Sequence, residues 1–139
     1  MTRLVFVDAG VLIAAARGRD EAALRAMEVL DDPDAQFASS VFLKLEVLPK
    51  ALYQQKHGEV AFYEAFFDEV SIWADPDEQL LREAYSEAVT AGLSAMDALH
   101  VTAASTVDAD EFVTTEKATR PIHRTRLLQV RTITRDRAE

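Results

Sequence analysis

The stretch RLVFVDAGVLIAAA, residues 3–16, decides how the rest of the chain is read. Twelve of its fourteen residues are neither charged nor strongly polar, yet Asp8 stands in the middle. Leu4–Val7 has the large aliphatic and aromatic side chains of a buried strand. A buried carboxylate without a partner is costly, so Asp8 needs a proton, a hydrogen-bonding cap or a metal ion. The remainder of the sequence has to supply that partner.

Four further apolar runs have strand character, at Gln36–Ala38, Val70–Trp73, Glu111–Thr114 and Val130–Ile133. Helical patterns lie between them. Asp20 is placed to cap a helix with the stripe Leu24, Met27 and Leu30. Ser40 precedes Val41, Leu45, Leu48 and Leu52, a helical stripe in which Pro49 predicts a kink or a break. His57 and Gly58 form the expected stop, after which Phe62, Tyr63, Phe66 and Phe67 mark the next helix. In DPDE, residues 75–78, Asp75 is the expected N-cap, Pro76 the first helical residue and Glu78 the third. That helix carries Leu80, Leu81, Ala84, Tyr85 and Ala88 and ends at Gly92; Ser94 opens another through Thr106. Short apolar strands alternating with helices predict an α/β fold with a parallel sheet covered on both faces. No repeat, low-complexity tract or linker interrupts the pattern, so residues 1–139 read as a single domain with an Arg-rich C-terminal segment, 117–139.

Composition narrows the chemistry. With no cysteine, disulfides, iron–sulfur clusters and thiolate zinc sites are excluded. Asp8 breaks the only N-terminal stretch that resembles a signal peptide, and no window approaches a membrane span, so a soluble, cytoplasmic protein is expected. The net charge of −9 argues against a polyanionic partner, but its distribution is uneven. Residues 1–116 carry 22 acids and 8 bases, whereas residues 117–139 carry 7 bases and 2 acids. That tail is either a solvated face or a basic rim, including Arg120, Arg124 and Arg126, that attracts a polyanion beside an acidic pocket.

In an open parallel sheet, ligands bind outside the carboxyl ends of the strands. Asp8 follows the first strand at that edge, and Glu116 follows the strand EFVTT. Glu46 and Asp97 lie on helices able to lean over the same edge. Each acid also has a purely structural use. Asp8 can cap the helix starting near Val11, Glu46 can be solvated, Asp97 can close a capping box with Ser94, and Glu116 can be a loop acid. Together, four acids recurring beside apolar elements form an oxygen-only set suited to Mg2+ or Mn2+, with the metal as the partner of Asp8. His100, three residues after Asp97, reads as a packed core residue, with proton donation as its alternative use.

The segments LVFVDAGVLIAAA, VFLKLEVLPKAL, LSAMDALHVTAA and DEFVTTEK resemble, in order and spacing, the four acidic blocks of PIN-domain ribonucleases. In size and layout the chain is similar to the toxin subunits of VapBC-type toxin–antitoxin pairs, from Leu4 to about Ile133. The resemblance implies a three-layer α/β/α domain around a central, mostly parallel sheet of four to five short strands. It implies one or two Mg2+ or Mn2+ ions and endonucleolytic hydrolysis of RNA. Asp8, Glu46 and Asp97 match the three core acids. Asp8 and Asp97 are then direct ligands, Glu46 a ligand or the base that orients water, and Glu116 a second-site or outer ligand. The likeness also implies an antitoxin partner and a homodimer; the aromatic helix VAFYEAFFDEV has more large apolar residues than one narrow stripe requires, a surplus for the core or, as the alternative, for such contacts.

Two positions depart from the family. Gly10 stands where a Ser or Asn often braces the first aspartate, and Glu116 replaces a common aspartate, one methylene longer, a length that allows contact through water. The segment KATRPIHRT has no place in the family pattern; Pro121 and His123 there are read as shaping a turn, with contact to RNA as the alternative. The alternative function is a catalytically weakened PIN-like module that acts by binding protein or RNA. Two other Mg2+-dependent phosphoryl-transfer folds fit less well. A haloacid-dehalogenase-type phosphatase needs an aspartate where Gly10 stands, and the paired acids of a receiver domain are missing.

Overall fold

The segment around Asp8 forms the middle of the molecule in the computed structural model, which describes residues 2–135. β1 (Arg3–Val7) is the central strand of a five-stranded sheet of order β3-β2-β1-β4-β5, in which every pairing is parallel. Its neighbours are β2 (Ala35–Ser39) and β4 (Glu111–Thr114), with β3 (Ile72–Trp73) and β5 (Gln129–Thr132) at the edges. Six helices connect them: α1 (Ala9–Arg17), α2 (Glu21–Leu30), α3 (Val41–Tyr53), α4 (His57–Asp68), α5 (Glu78–Ala91) and α6 (Ala95–Thr106). A 3-10 turn, Pro121–Arg124, lies between β4 and β5.

Both faces of the sheet are covered, which is why β1 reads as a continuous apolar run instead of an alternating one. Val5, Val7, Phe37 and Val113 pack beneath α1 to α4, while Phe6, Ala38 and Phe112 pack beneath α5 and α6. In register, Phe6 lies opposite Ala38 on one side and Phe112 on the other, and its ring stacks on that of Phe112 at 5.6 Å. Truncating a fully buried side chain of this kind, as in Phe6→Ala, costs about 3–5 kcal/mol. Among the described residues no helix is long and apolar enough to cross a membrane.

Several local expectations need correction. The cap of α5 is Asp77, whose side chain accepts from Leu80 N at 2.8 Å, so Asp75 and Pro76 stay outside the helix. That start turns Leu80, Ala84 and Glu87 into the core. His57 does not stop a helix but begins α4; the stop is at Gln54–Lys56, with Gln55 in the left-handed region at φ 55°. The strand expected at Val70–Trp73 shortens to Ile72–Trp73.

The buried faces of α2 and α3 are shifted from the expected stripes. Ala23, Ala26 and Val29 are buried in α2, and Leu43, Val47 and Ala51 in α3, leaving Leu24, Leu45 and Leu52 exposed. Pro49 sits inside an unbroken α3. It lies on the exposed face, as does Leu45, whose carbonyl the proline leaves unpaired, so water can satisfy it. The other capping expectations hold: Asp20, Ser40 and Ser94 cap their helices, and Gly92 ends α5 at φ 66°, a left-handed conformation that favours glycine.

Candidate active site

After β1 the chain passes to β2 on one side, whereas β4 lies on the other, so the strand order turns at the β1/β4 boundary. Crevices of this type, outside the carboxyl ends of the strands, are where open α/β sheets bind ligands. Asp8 leaves β1 there. Ser40 leaves β2 and caps α3, which carries Glu46; Thr115 and Glu116 leave β4. α6 leads back into β4, so its first turn, with Asp97, begins at this same edge. The N-termini of α1, α3 and α6 thus meet around the crevice, and their partial positive charge favours carboxylates.

Asp8 is 9% exposed and both its oxygens are engaged. Oδ1 accepts from Val11 N at 3.1 Å, the N-cap contact of α1, and Oδ2 accepts from the Thr114 hydroxyl. The Thr114 hydroxyl in turn accepts from Glu116 N at 3.0 Å. Capping and site-building are therefore the same act for this side chain. Burial pushes the Asp8 carboxyl up to about 6, against the bonds from Thr114 and Val11 and the field of His100, with an added push from Glu116.

Asp97 is the third residue of α6, and its N–H donates to the Ser94 hydroxyl at 3.3 Å. Burial raises its carboxyl as well; Glu116 and Glu46 add to the rise, while His100 and Ser94 oppose it. Asp8, Glu46, Asp97 and Glu116 consequently share one electrostatic neighbourhood, with His100 inside it. Glu46 projects from α3 toward α6, where its Oε1 is 3.1 Å from His100 Nε2. His100 is buried, as its place in an apolar helix suggests. Glu116 is the most exposed of the acids; Arg120 Nε approaches its Oε2 at 3.4 Å.

The donor set is four carboxylates without thiolates, the set of a hard divalent cation. Among the described residues no three acid or imidazole side chains converge as a metal-holding group. Glu46 is held through Oε1 by His100, and Glu116 is turned to Arg120 on a half-exposed side chain with enough torsional freedom to leave that partner. A buried carboxyl with a raised pKa, facing like charges, is the electrostatic signature of a site that a cation relieves. In donor chemistry and electrostatics the residues fit Mg2+ or Mn2+.

The structure accounts for the departure at Gly10. Thr114 braces Asp8 from β4, so no side chain at residue 10 is needed for that purpose. A Cβ on Gly10 would lie 2.1 Å from Thr115 Oγ1, so the space is already filled. KATRPIHRT is a strap between the crevice and α5. His123 donates Nε2–H to the Glu116 carbonyl at 2.9 Å, Ile122 is buried, and the Thr125 hydroxyl donates to buried Glu87. Arg124 Nη1 reaches the Ala91 carbonyl at 3.5 Å, at the end of α5, while Arg126 is exposed. Sequence reasoning missed the partnership of His100 with Glu46, and the brace and filler roles of the two threonines. The Asp97–His100 spacing, which sets both on one helix face, and the doubled Thr before Glu116 were the available signals.

Residues 5–122 match the PIN domain family. No curated protein matches the sequence. Among solved structures, the chain is similar to one in the crystal structure of VapBC2 from Rickettsia felis bound to a DNA fragment from their promoter. The identity is 13% and the TM-score 0.71, over 93% of this chain and 98% of that one. DNA-bound VapBC from Salmonella typhimurium gives 16% identity and a TM-score of 0.66, over 95% and 98% of the two chains. A toxin–antitoxin complex from Klebsiella pneumoniae gives 20% and 0.61, over 81% and 86%. At such identities the likeness to these structures is one of fold. Together with the five-stranded parallel sheet and its six helices, the match over residues 5–122 places the chain in the PIN domain family.

Proposed function

We propose that this protein is a metal-dependent endoribonuclease that hydrolyses RNA phosphodiester bonds, and that it is the toxin of a type II toxin–antitoxin pair. The observation that carries the reading is the buried, Thr114-braced Asp8 at the β1/β4 crevice, coupled to Glu116, with Asp97 and Glu46 in the same field. Asp8 and Asp97 would hold the cation directly, Glu46 would hold it or orient the attacking water, and Glu116 would act at a second or outer position. A bound Mg2+ or Mn2+ supplies an acidified water and offsets the charge that grows on the phosphoryl oxygens. The protein's own part is to fix the carboxylates: Thr114 and Val11 orient Asp8, and the α6 N-terminus holds Asp97 at the rim.

Arg120 and Arg124 lie on the strap that follows Glu116, with Arg126 just beyond it, and the three are proposed to attract the RNA backbone to the crevice. A protein antitoxin and a second copy of the chain are the proposed partners, consistent with a neighbour described as a toxin–antitoxin complex. A groove of about 460 Å3, lined by Met27, Leu30, Phe37, Phe62 and Phe66 among others, offers an apolar face of α2 and α4 for an antitoxin segment.

The test is calorimetric titration of Mn2+ into wild type and Asp8→Asn, beside cleavage of a structured RNA pool. Mn2+ binding and Mn2+-dependent cleavage that both vanish in the variant support the nuclease. A wild type that binds no Mn2+ and cuts nothing replaces it with the binding-module reading.

A further inference from the structure

His100 is 3% exposed, in the middle of α6, packed against the ring of Phe6 at 6.4 Å between centroids. A polar ring in such a place needs a reason, because an apolar side chain of similar volume would pack without leaving polar atoms to satisfy. Only one of its nitrogens is satisfied by the protein. Nε2 lies 3.1 Å from Glu46 Oε1, and Nδ1 is buried with no hydrogen-bond partner. A carboxylate oxygen only accepts, so Nε2 carries the proton and donates.

The bond joins two layers of the protein. Glu46 rides on the second turn of α3 and His100 on the second turn of α6, helices that follow different stretches of chain and meet over the crevice. Glu46 itself has a side chain one-third exposed, with three rotatable torsions and no other side-chain hydrogen bond among the described residues. Left alone, it would sample solvent and lose conformational entropy on being called to the crevice. The buried imidazole, locked by its surroundings, has no such freedom. The cost of burying its unpaired Nδ1 is explained if the other nitrogen does something the fold does not need.

We propose that His100 is a positioning residue: its Nε2–H holds the Glu46 carboxylate over the sheet edge so that Glu46 is pre-placed as a cation ligand. This rests on the proposed metal-dependent function, since it assigns the carboxylate a ligand to meet. Hydrogen-bond supports behind metal ligands are typically worth about 10–100-fold in affinity, and that is the effect expected here.

The test uses the full chain and Mn2+ alone, read by calorimetry, with RNA cleavage recorded separately. His100→Leu fills the volume without a donor and should weaken Mn2+ about 10–100-fold. His100→Gln, whose amide Nε2 donor reaches about as far as imidazole Nε2, should restore most of that affinity. In a Glu46→Ala background, His100→Leu should add no further loss, because the support then has nothing to hold. In metal-free protein, 15N spectra should show the Nε2–H tautomer in wild type and a mixture in Glu46→Ala. Undiminished Mn2+ affinity in folded His100→Leu, additive losses in the Glu46→Ala background, or failure of a folded His100→Gln to restore binding would each overturn the proposal. If His100→Leu does not fold, the Gln variant and the tautomer spectra decide. A wild type that binds Mn2+ through Glu46, with His100 supporting it as described, yet cleaves no RNA, would defeat the nuclease reading while leaving this one standing.

Discussion

Replacing Asp8 by asparagine should make the protein more stable at neutral and alkaline pH, although it removes the central acid of the crevice. Burial lifts the Asp8 carboxyl from 3.8 to about 6. A group whose folded pKa is raised contributes stability that is fully present below its unfolded value and is lost as pH rises through the folded one. A shift of about two units at about 1.4 kcal/mol each means that ionised Asp8 costs about 3 kcal/mol at pH 8. Asparagine avoids this cost and keeps its carbonyl oxygen on Val11 N. Its amide, however, meets a Thr114 hydroxyl that already accepts from Glu116 N, so the hydroxyl proton loses its acceptor, at about 1 kcal/mol. The net expectation is a gain of about 2 kcal/mol at pH 8 and a loss of up to about 1 kcal/mol near pH 3.5, with the two curves crossing at about pH 4.5. Urea unfolding followed by circular dichroism and by the fluorescence of Trp73, with EDTA present throughout, measures both limbs. A chelator is needed because a bound cation would stabilise wild type alone. An Asp8→Asn variant that is less stable than wild type at pH 8, or that differs from it equally at pH 8 and pH 4, refutes the reasoning.

Three further outcomes are expected. Thr114→Val deletes the brace without changing volume, so the Asp8 carboxyl should titrate above about 6 in 13C spectra, with a stability loss of about 1–3 kcal/mol. Gly10→Ala should destabilise by about 1–3 kcal/mol through overpacking, since its Cβ would lie 2.1 Å from Thr115 Oγ1, and adding Thr115→Ala should restore the melting temperature; a stabilised single variant would contradict the packing. Arg124→Ala with Arg126→Ala should weaken RNA binding and flatten its salt dependence while leaving Mn2+ affinity unchanged, and equal binding by gel shift would remove the strap from the RNA path.

The class of fold was legible because a doubly covered parallel sheet forces its strands to be apolar on both sides, and β1 is just such a run. Helix caps were legible wherever one residue could do the task, as at Ser40 and Ser94. At Asp75 and Asp77 two residues could, and only the burial of Leu80 chose between them. The stripes of α2 and α3 misled because every leucine was counted as core, whereas the buried faces are Ala23, Ala26 and Val29 in α2 and Leu43, Val47 and Ala51 in α3. Asp8, Glu46, Asp97 and Glu116 were legible as carboxylates near strand ends and helix starts. Their supports were not. Thr114 lies 106 residues from Asp8 and His100 lies 54 from Glu46, distances over which no periodicity carries information.

That separation also has a temporal side. Of the five strands β1 is made before the others, yet one of its two neighbours in the sheet, β4, is the fourth to be synthesised. At about 5–20 residues per second, Asp8 waits roughly 5–20 s on the ribosome before Thr114 exists to meet it. Until then β1 can pair only with β2, and the crevice between β1 and β4 has a single wall. A chain that stalls or is cut anywhere before residue 114 carries the first acid but never assembles the place where it would work.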